Sequence, residues 1–328
     1  MGADITRIKA AIDVDGPLPS YDELPRIPEV DASHCWGLFG AEDERGTFNL
    51  LTPARVRAAC SLVQTGQRIG LSLPLDQPQP SAFNRNIYKH ELLQIRRDRR
   101  DDYLDGFYPQ ASSQWDALRH IGAREFGWYN GFKEEAIDVA DGGRLGIEQV
   151  AAQGIIGRGV LVDAERAFAR EGKPLDPFSG TFITAQDLER TLALQSIKLR
   201  PGDILLVRTG WLGRFLALSE DGRRAQMASK DWAGLDAAED MARFLWNQHV
   251  TAVCADNLSV EFGPGDSAKG FLHRRMIPLL GTMLGEIWAL DELARECERQ
   301  RRYEFLLMSV PLRLPGGVGS PANAVAVF

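Results

Sequence analysis

The chain has 328 residues, of which 44% are hydrophobic and 25% are charged, as in a globular protein with a sizeable core. Its net charge of −7 argues against nucleic-acid binding, because neutralising phosphates requires a basic face. One arginine-rich run, residues 96–100, is followed at once by two aspartates, a mixture typical of a solvated surface.

The four cysteines form no CxxC pair, so neither a disulfide framework nor a thiolate zinc site is expected. No apolar stretch is long enough to span a membrane, and the first twenty residues lack the apolar segment of a secretory leader. We therefore expect a cytoplasmic protein with no nucleic-acid or membrane partner.

Residues 1–30 are polar and contain four prolines, which predicts an N-terminal arm packed on a single domain formed by residues 31–328. Thr52 before Pro53 predicts the start of one helix, and Thr184 with Asp187 predicts the capped start of another. Apolar runs predict strands over residues 69–75, 159–163, 204–209, 250–255, 304–314 and 322–328. This alternation is typical of a mixed α/β domain.

Among the five histidines, His120 and His273 stand out because of the acidic residues near them in the sequence. Asp116 precedes His120 by four positions, a spacing that suits a polar site but that, taken alone, favours a core histidine beside a capping aspartate. Glu286 lies within an apolar run that follows His273. A carboxylate in that setting needs a cation, a proton or a metal, because burying a lone charge is very costly.

Residues 110–120 resemble the signature HxGTHxDxPxH of the cyclase or kynurenine-formamidase-like hydrolases. Asp116 and His120 stand where the signature has its aspartate and its last histidine. Gln110 and Gln114 replace its first two histidines, Ser113 replaces its threonine and Leu118 its proline. The resemblance runs from Trp36 to the C-terminus through residues 36–37, 46–52, 129–131, 158–163, 201–211, 255–257 and 319–321.

The resemblance implies a swivelling β/β/α-like fold, with a mixed, partly barrel-like sheet flanked by helices. It also implies that Asp116, His273 and Glu286 bind a divalent metal and that His120 is the catalytic acid or base. Because the two glutamines are weaker ligands than histidine, three outcomes follow: one metal instead of two, a harder metal, or none. We expect one ion, manganese or zinc, with Gln114 as an optional fourth ligand.

The resemblance further implies a hydrolase that cleaves the carbon–nitrogen bond of an amide or cyclic amide, or a lactone, in a small-molecule substrate that is cyclic or aromatic. A homodimer or homotetramer is the usual expectation for such enzymes. Candidate substrate contacts are Trp36, Phe39, Gln110, Trp115, Trp128 and Tyr129, although the aromatic residues equally suit ordinary packing. Arg208 could bind a substrate carboxylate or pair with a structural acid such as Asp203. Two alternatives stay open: a metal-free binding or regulatory protein, and a metal-free acid/base enzyme such as a dehydratase or isomerase.

Overall fold

The fold is built around a curled β-sheet whose strands come from most of the length of the chain. The structure, a computed structural model, describes residues 5–29, 32–138 and 142–328. The strands of these residues are β1 (Arg26–Ile27), β2 (Ala32–Ser33), β3 (Arg68–Gly70), β4 (Lys89–Arg96), β5 (Arg99–Asp105), β6 (Gln114–Asp116), β7 (Ile155–Asp163), β8 (Phe182–Ile183), β9 (Ile204–Arg208), β10 (Gly234–Leu235), β11 (Ala252–Ala255), β12 (Met283–Glu286), β13 (Glu304–Ser309), β14 (Gly319–Pro321) and β15 (Ala324–Val327).

The main sheet has nine strands in the order β14-β6-β12-β11-β9-β7-β13-β15-β3. The central strands β12, β11, β9 and β7 are parallel, and the flanking strands on both sides are antiparallel. Parallel strands need cover on both faces, and the four residues from Ile204 to Val207 are accordingly fully buried. The curled sheet forms a half-barrel flanked by helices, which confirms the expected fold class.

Helices cover the sheet. They are α1 (Pro53–Cys60), α2 (Glu134–Ile137), α3 (Glu148–Ala151), α4 (Ala164–Arg170), α5 (Ala185–Leu194), α6 (Trp211–Ala217), α7 (Glu220–Ser229), α8 (Glu239–Asn247), α9 (Leu272–Arg274) and α10 (Asp291–Gln300). Helix α1 packs on β7 and β13, while α5 and α10 pack on β7. Both predicted helix starts are confirmed: Thr52 caps α1, and Thr184 with Asp187 forms the capping box of α5.

The predicted strands are present, but several are shorter than expected, most clearly at the ends of the first strand and of the strand predicted over 304–314. The first stops at Gly70, four residues before Pro74. The strand predicted over 304–314 stops at Ser309, because Pro311 has no backbone N–H to donate to a neighbouring strand. In both places the apolar sequence continues beyond the last ladder pairing, so hydrophobicity alone overestimates the strand length.

The described part of the N-terminal arm lies along the body. Backbone N–H groups of Ile8 and Ile12 donate to the carbonyl oxygens of Trp36 and Leu38, each at 2.9 Å. Tyr21 is buried. The predicted boundary between arm and domain, at residues 30 and 31, lies outside the described residues, so the proposed division stays a prediction.

Strands β4 and β5 form a separate exposed hairpin. The arginine-rich run forms its turn and is exposed, as expected for a solvated surface. Across the described ranges, the structure contains no helix with both the length and the apolar character needed to cross a membrane.

Candidate functional site

Strand β6 positions two polar side chains on one face of the sheet and an aromatic ring on the other. Alternate residues of a strand point to opposite faces, so Gln114 and Asp116 lie together while Trp115 faces away from them. The Trp115 ring packs against Trp288, with ring centroids 5.0 Å apart, and is fully buried. The strand therefore delivers Gln114 and Asp116 to the site and Trp115 to the core.

Glu286 reaches the same place from the neighbouring strand. It ends β12 directly opposite Gln114 in the antiparallel ladder, so the two side chains share a face. The amide nitrogen of Gln114 donates a hydrogen bond to Oε2 of Glu286. The amide oxygen of Gln114 accepts from Nη1 of Arg85 at 3.2 Å, so this oxygen is already engaged.

His273 enters the site from the short helix α9, held by an acid that the sequence analysis missed. Oε1 of Glu261 lies 2.6 Å from Nδ1 of His273, and Oε2 accepts the backbone N–H of Leu272 at 2.6 Å. The opposite ring atom, Nε2 of His273, lies 3.0 Å from Oε1 of Glu286 and 3.7 Å from Oδ2 of Asp116. Glu261 thus sets the rotation of the imidazole that faces both site carboxylates.

His120 and Gln110 complete the polar group around Asp116. Nε2 of His120 lies 3.9 Å from Oδ1 of Asp116, and the same oxygen accepts a hydrogen bond from the amide of Gln110. The Gln110 amide nitrogen also lies 3.3 Å from Nδ1 of His120. Asp116 is fully buried, whereas the side chain of His120 keeps 24% of its surface exposed. His120 is therefore placed to exchange protons with a bound molecule.

The donor atoms of Asp116, His273 and Glu286 all lie within 4.8 Å of one another, and all three residues are buried. Oδ2 of Asp116 is buried and has no hydrogen-bond partner in the described residues. One imidazole and two carboxylates form a donor set that divalent transition metals accept. An unsatisfied carboxylate oxygen among such donors fits a single bound cation.

The protonation states of the group follow from burial and mutual charge. Burial and then the charge of Asp116 raise the pKa of Glu286 to about 7. Burial alone would lower the pKa of His273, but the surrounding carboxylates raise it well above its usual range. Burial would raise the pKa of Asp116, yet His120 and His273 hold it low. Without a metal the site thus retains protons at neutral pH.

A cleft of about 930 Å³ opens onto this group, which is large enough for a small-molecule ligand. His120, His273, Glu261 and Glu286 line it. Much of the remaining lining is aromatic or basic, and includes Phe83, Arg85, Arg224, Lys230, Trp232, Phe262 and Phe271. Reactive polar groups and aromatic rings in one cleft are the arrangement expected of a substrate pocket.

The five other residues expected to contact substrate do not line this cleft. Trp36 is buried and donates its indole N–H to the carbonyl of Pro278 at 2.6 Å, and Tyr129 donates its hydroxyl to Asp43 at 2.8 Å. Phe39 and Trp128 pack on the main core. Arg208 pairs with structural acids, as its alternative interpretation allowed, although these are Asp163, Glu165 and Asp291 rather than Asp203.

Among the cleft residues that the sequence analysis missed are Glu261, Arg85 and Phe83, whose signals are not local in the sequence. Glu261 meets His273 through a turn in which the β-branched Val260 takes a φ of 59°. Arg85 and Phe83 lie in an irregular segment before the exposed hairpin. The cluster of glycines and aromatics at 262–271 was an available signal, since it marks a loop, and binding residues are often carried on loops.

The fold and site together define an α/β protein with a carboxylate–histidine centre at the base of a cleft. The Cyclase family model matches residues 69–262. A crystal structure described as a novel cyclase is 37% identical, with a TM-score of 0.80, and the match covers 90% of this chain and 99% of that one. The chain belongs to the cyclase family, which confirms the resemblance inferred from its sequence.

More distant solved structures share the fold. Isatin hydrolase A from Labrenzia aggregata, bound to benzyl benzoate, is 15% identical with a TM-score of 0.55, covering 79% of this chain and 93% of its own. An isatin hydrolase bound to the product analogue thioisatinate is 15% identical with a TM-score of 0.57, covering 84% and 95%. Among curated proteins, none matches this sequence.

Proposed function

We propose that the protein is a hydrolase of a small carbonyl compound, acting on a carbon–nitrogen bond of an amide or cyclic amide, or on a lactone. The observation that carries this proposal is the buried group of Asp116, His273 and Glu286 beside His120 at the base of a substrate-sized cleft. Two isatin hydrolases share the fold, and their name supports a cyclic amide as the first substrate to test.

In this proposal Asp116, His273 and Glu286 hold one divalent ion, manganese or zinc. When bound there, the ion would polarise the substrate carbonyl and lower the pKa of a water molecule. Glu261 keeps Nδ1 of His273 occupied, which leaves Nε2 free to act as a donor atom. Gln114 offers its amide N–H to Glu286 rather than an oxygen to the group, which argues against the expected fourth ligand.

His120 supplies the proton transfer. Burial lowers its pKa, so the imidazole is uncharged at neutral pH and can accept a proton. In hydrolysis the water oxygen bonds to the carbonyl carbon, the carbon–nitrogen bond breaks, and the leaving nitrogen takes up a proton. His120 lies at the cleft wall, where it can remove the proton from water and return it to the leaving group.

One observation favours the metal-free acid/base enzyme as a second candidate. The amides of Gln110 and Gln114 donate directly to Asp116 and Glu286, which partly satisfies the buried carboxylates without a cation. In that case a protonated Glu286 would be the acid and His120 the base, as in a dehydratase or isomerase. No comparable feature favours a binding or regulatory protein.

The deciding experiment measures metal content by elemental analysis, alongside hydrolysis of isatin and of a formyl anilide before and after chelation. We expect a stoichiometric divalent ion and activity that disappears with the chelator and returns with manganese or zinc. Full activity in a chelator-treated protein without metal would favour the second candidate. The expected homodimer or homotetramer and the cytoplasmic location stay predictions, and light scattering would check the oligomeric state.

A further inference from the structure

Arg85 is a cation on the wall of the cleft, and only part of its guanidinium group is hydrogen-bonded within the described chain. Its Nη1 atom donates to Oε1 of Gln114 at 3.2 Å and to the carbonyl oxygen of Gln110. In the described chain its Nε and Nη2 atoms make no hydrogen bond and no carboxylate lies within ion-pair distance, although its charge stabilises the ionised forms of nearby Asp116 and Glu286. The guanidinium is therefore anchored through one nitrogen beside the site carboxylates, and the residue lines the cleft.

The free atoms form the side-on edge of the guanidinium. Nε and Nη2 are the pair that meets both oxygens of a carboxylate at once, a geometry that lysine cannot supply. Because Nη1 is already held by two oxygens, little further freedom is lost when a carboxylate binds. This arrangement is suited to a ligand with a planar anionic group.

An aromatic corner adjoins the guanidinium. The carbon of the Arg85 guanidinium lies 5.3 Å from the centroid of the Phe83 ring, and that ring meets Trp232 edge-to-face at 6.4 Å. Phe83 and Asn84 both have positive φ, at 56° and 58°, a conformation that is costly for a bulky residue. Strain of this kind is concentrated at ligand-binding segments, and here it aims Phe83 and Arg85 into one cleft.

The charge of the cleft lining contrasts with that of the whole protein. The chain has a net charge of −7, yet Arg85, Arg224 and Lys230 line the cleft. Arg224 is paired with two acids on its own helix, and the acidic lining residues Glu261 and Glu286 are both engaged by His273. The remaining cations, Arg85 and Lys230, favour an anionic ligand over a cationic one.

We propose that the substrate is a small aromatic carboxylate and that Arg85 binds its carboxylate while Phe83 and Trp232 contact its ring. The inference rests on the proposed function insofar as this cleft is the reaction site. Arg85 then sets specificity for an anionic group of the substrate, which it would hold close to the residues proposed to act on the cleaved bond. The neutral cyclic amides named above would be accepted less well than analogues with an added carboxylate.

The test is a binding measurement that needs no turnover. Benzoate, benzamide and cyclohexanecarboxylate are titrated into the purified protein by calorimetry, with and without prior EDTA treatment. We expect benzoate to bind at least about tenfold more tightly than benzamide, as a charge-assisted bidentate contact requires. We also expect benzoate to bind more tightly than cyclohexanecarboxylate, because only the benzoate ring is aromatic and can pack on Phe83 and Trp232 as an aromatic pair.

Variants assign the preference to Arg85. Arg85→Met should lower benzoate affinity by about tenfold to a hundredfold and leave benzamide affinity unchanged, and Arg85→Lys should restore part of the loss. Arg224→Met is the matched control, because Arg224 lies on the rim and pairs with Glu220 and Asp221, and it should have a small effect. Thermal unfolding confirms that each variant is folded.

A benzoate preference that survives Arg85→Met would overturn the proposal, and so would equal binding of benzoate and benzamide to the wild type. The wild-type comparison holds even if Arg85→Met fails to fold. The two proposals fail separately. Metal-dependent hydrolysis without a carboxylate preference removes only the substrate class, whereas a carboxylate preference with chelator-resistant activity removes only the metal-dependent function.

Discussion

Oε1 of Glu261 lies 2.6 Å from Nδ1 of His273, and the two residues are buried together beneath the cleft. The contact leaves Nε2 of His273 as the ring atom that faces Asp116 and Glu286. A carboxylate in this position holds the ring orientation and makes the imidazole a stronger donor to a cation. Glu261 is therefore a positioning residue rather than part of the three-residue donor set.

Glu261→Gln should weaken manganese or zinc binding by roughly 10-fold to 100-fold, because an amide oxygen supports the imidazole less strongly than a carboxylate. The amide can still accept the backbone N–H of Leu272, so the fold should be kept. Calorimetric metal titration with a parallel melting curve checks both statements. An unchanged metal affinity in the folded variant would remove this role from Glu261.

Replacing a metal ligand and replacing the proton carrier should have different effects. Asp116→Asn and Glu286→Gln should abolish both metal content and hydrolysis, since each removes a charged donor from the group. His120→Asn should keep the metal and reduce kcat by about 10² to 10⁴-fold, the usual contribution of a general acid or base. Elemental analysis and steady-state kinetics on the three variants separate the roles. Loss of metal in His120→Asn would contradict the assignment.

Replacing an aromatic residue of the cleft should change KM, whereas replacing one of the core should change the free energy of unfolding. Phe83 is 54% exposed, so Phe83→Ala should raise KM for an aromatic substrate by roughly 3-fold to 10-fold without loss of stability. Trp36 is 1% exposed, and Trp36→Ala should instead reduce the free energy of unfolding by about 3 to 5 kcal/mol. Denaturant unfolding and KM for both variants make the comparison. A raised KM with unchanged stability in Trp36→Ala would restore its role as a substrate contact.

Gln114→His should tighten the binding of zinc more than that of manganese, because imidazole is the better partner for zinc. Position 114 lies opposite Glu286 in the sheet, so a histidine there would face the same group of donors. Arg85 would lose one of its two anchoring oxygens, which makes Gln114→Asn the matched control for that loss. Competition between the two metals, followed by elemental analysis, gives the selectivity. Equal selectivity in both variants would show that residue 114 does not reach the metal.

The fold could be predicted from the sequence because its signals are local. Capped helix starts at Thr52 and Thr184, and the apolar run beginning at Ile204, depend on neighbouring residues alone. Strand ends were less predictable, because a strand stops where its partner's hydrogen bonds stop. Beyond Ser309 the ladder pairing ends: Val310 still bonds to Asn323, and Pro311 then has no N–H to donate.

The candidate site was only partly predictable for a related reason. Asp116 and His120 lie in one motif, but Glu261 becomes visible only when a distant turn meets α9. Trp115 was expected near the substrate because it adjoins Asp116 in the sequence, although the alternation of a strand places its ring on the opposite face. Along a strand, a side chain therefore shares its face of the sheet with the residue two positions away and not with its immediate neighbour in the sequence.

The dependence of the free energy of unfolding on pH should show that Glu286 and His273 bind protons in the folded protein. In the metal-free protein the pKa of Glu286 is raised from 4.5 to about 7, and that of His273 is raised above its usual 6.5. Both groups bind protons more tightly in the folded than in the unfolded chain. Their stabilising contribution is thus full at low pH and declines as pH rises, from about 4.5 to about 7 for Glu286 and above about 6.5 for His273. The pKa of Asp116 is lowered, so its contribution is already complete above about 3.8 and does not change in this window.

A divalent ion needs Glu286 deprotonated and an unprotonated Nε2 on His273, so its affinity should rise with pH over the same range. We expect the difference in Tm between manganese-loaded and EDTA-treated protein to grow between about pH 5.5 and about pH 8. Differential scanning calorimetry at several pH values measures it. Glu286→Gln serves as the control, because a variant that binds no metal should show no difference at any pH. A wild-type difference that is constant with pH would contradict proton release on metal binding, since the same protons must leave before the ion can enter.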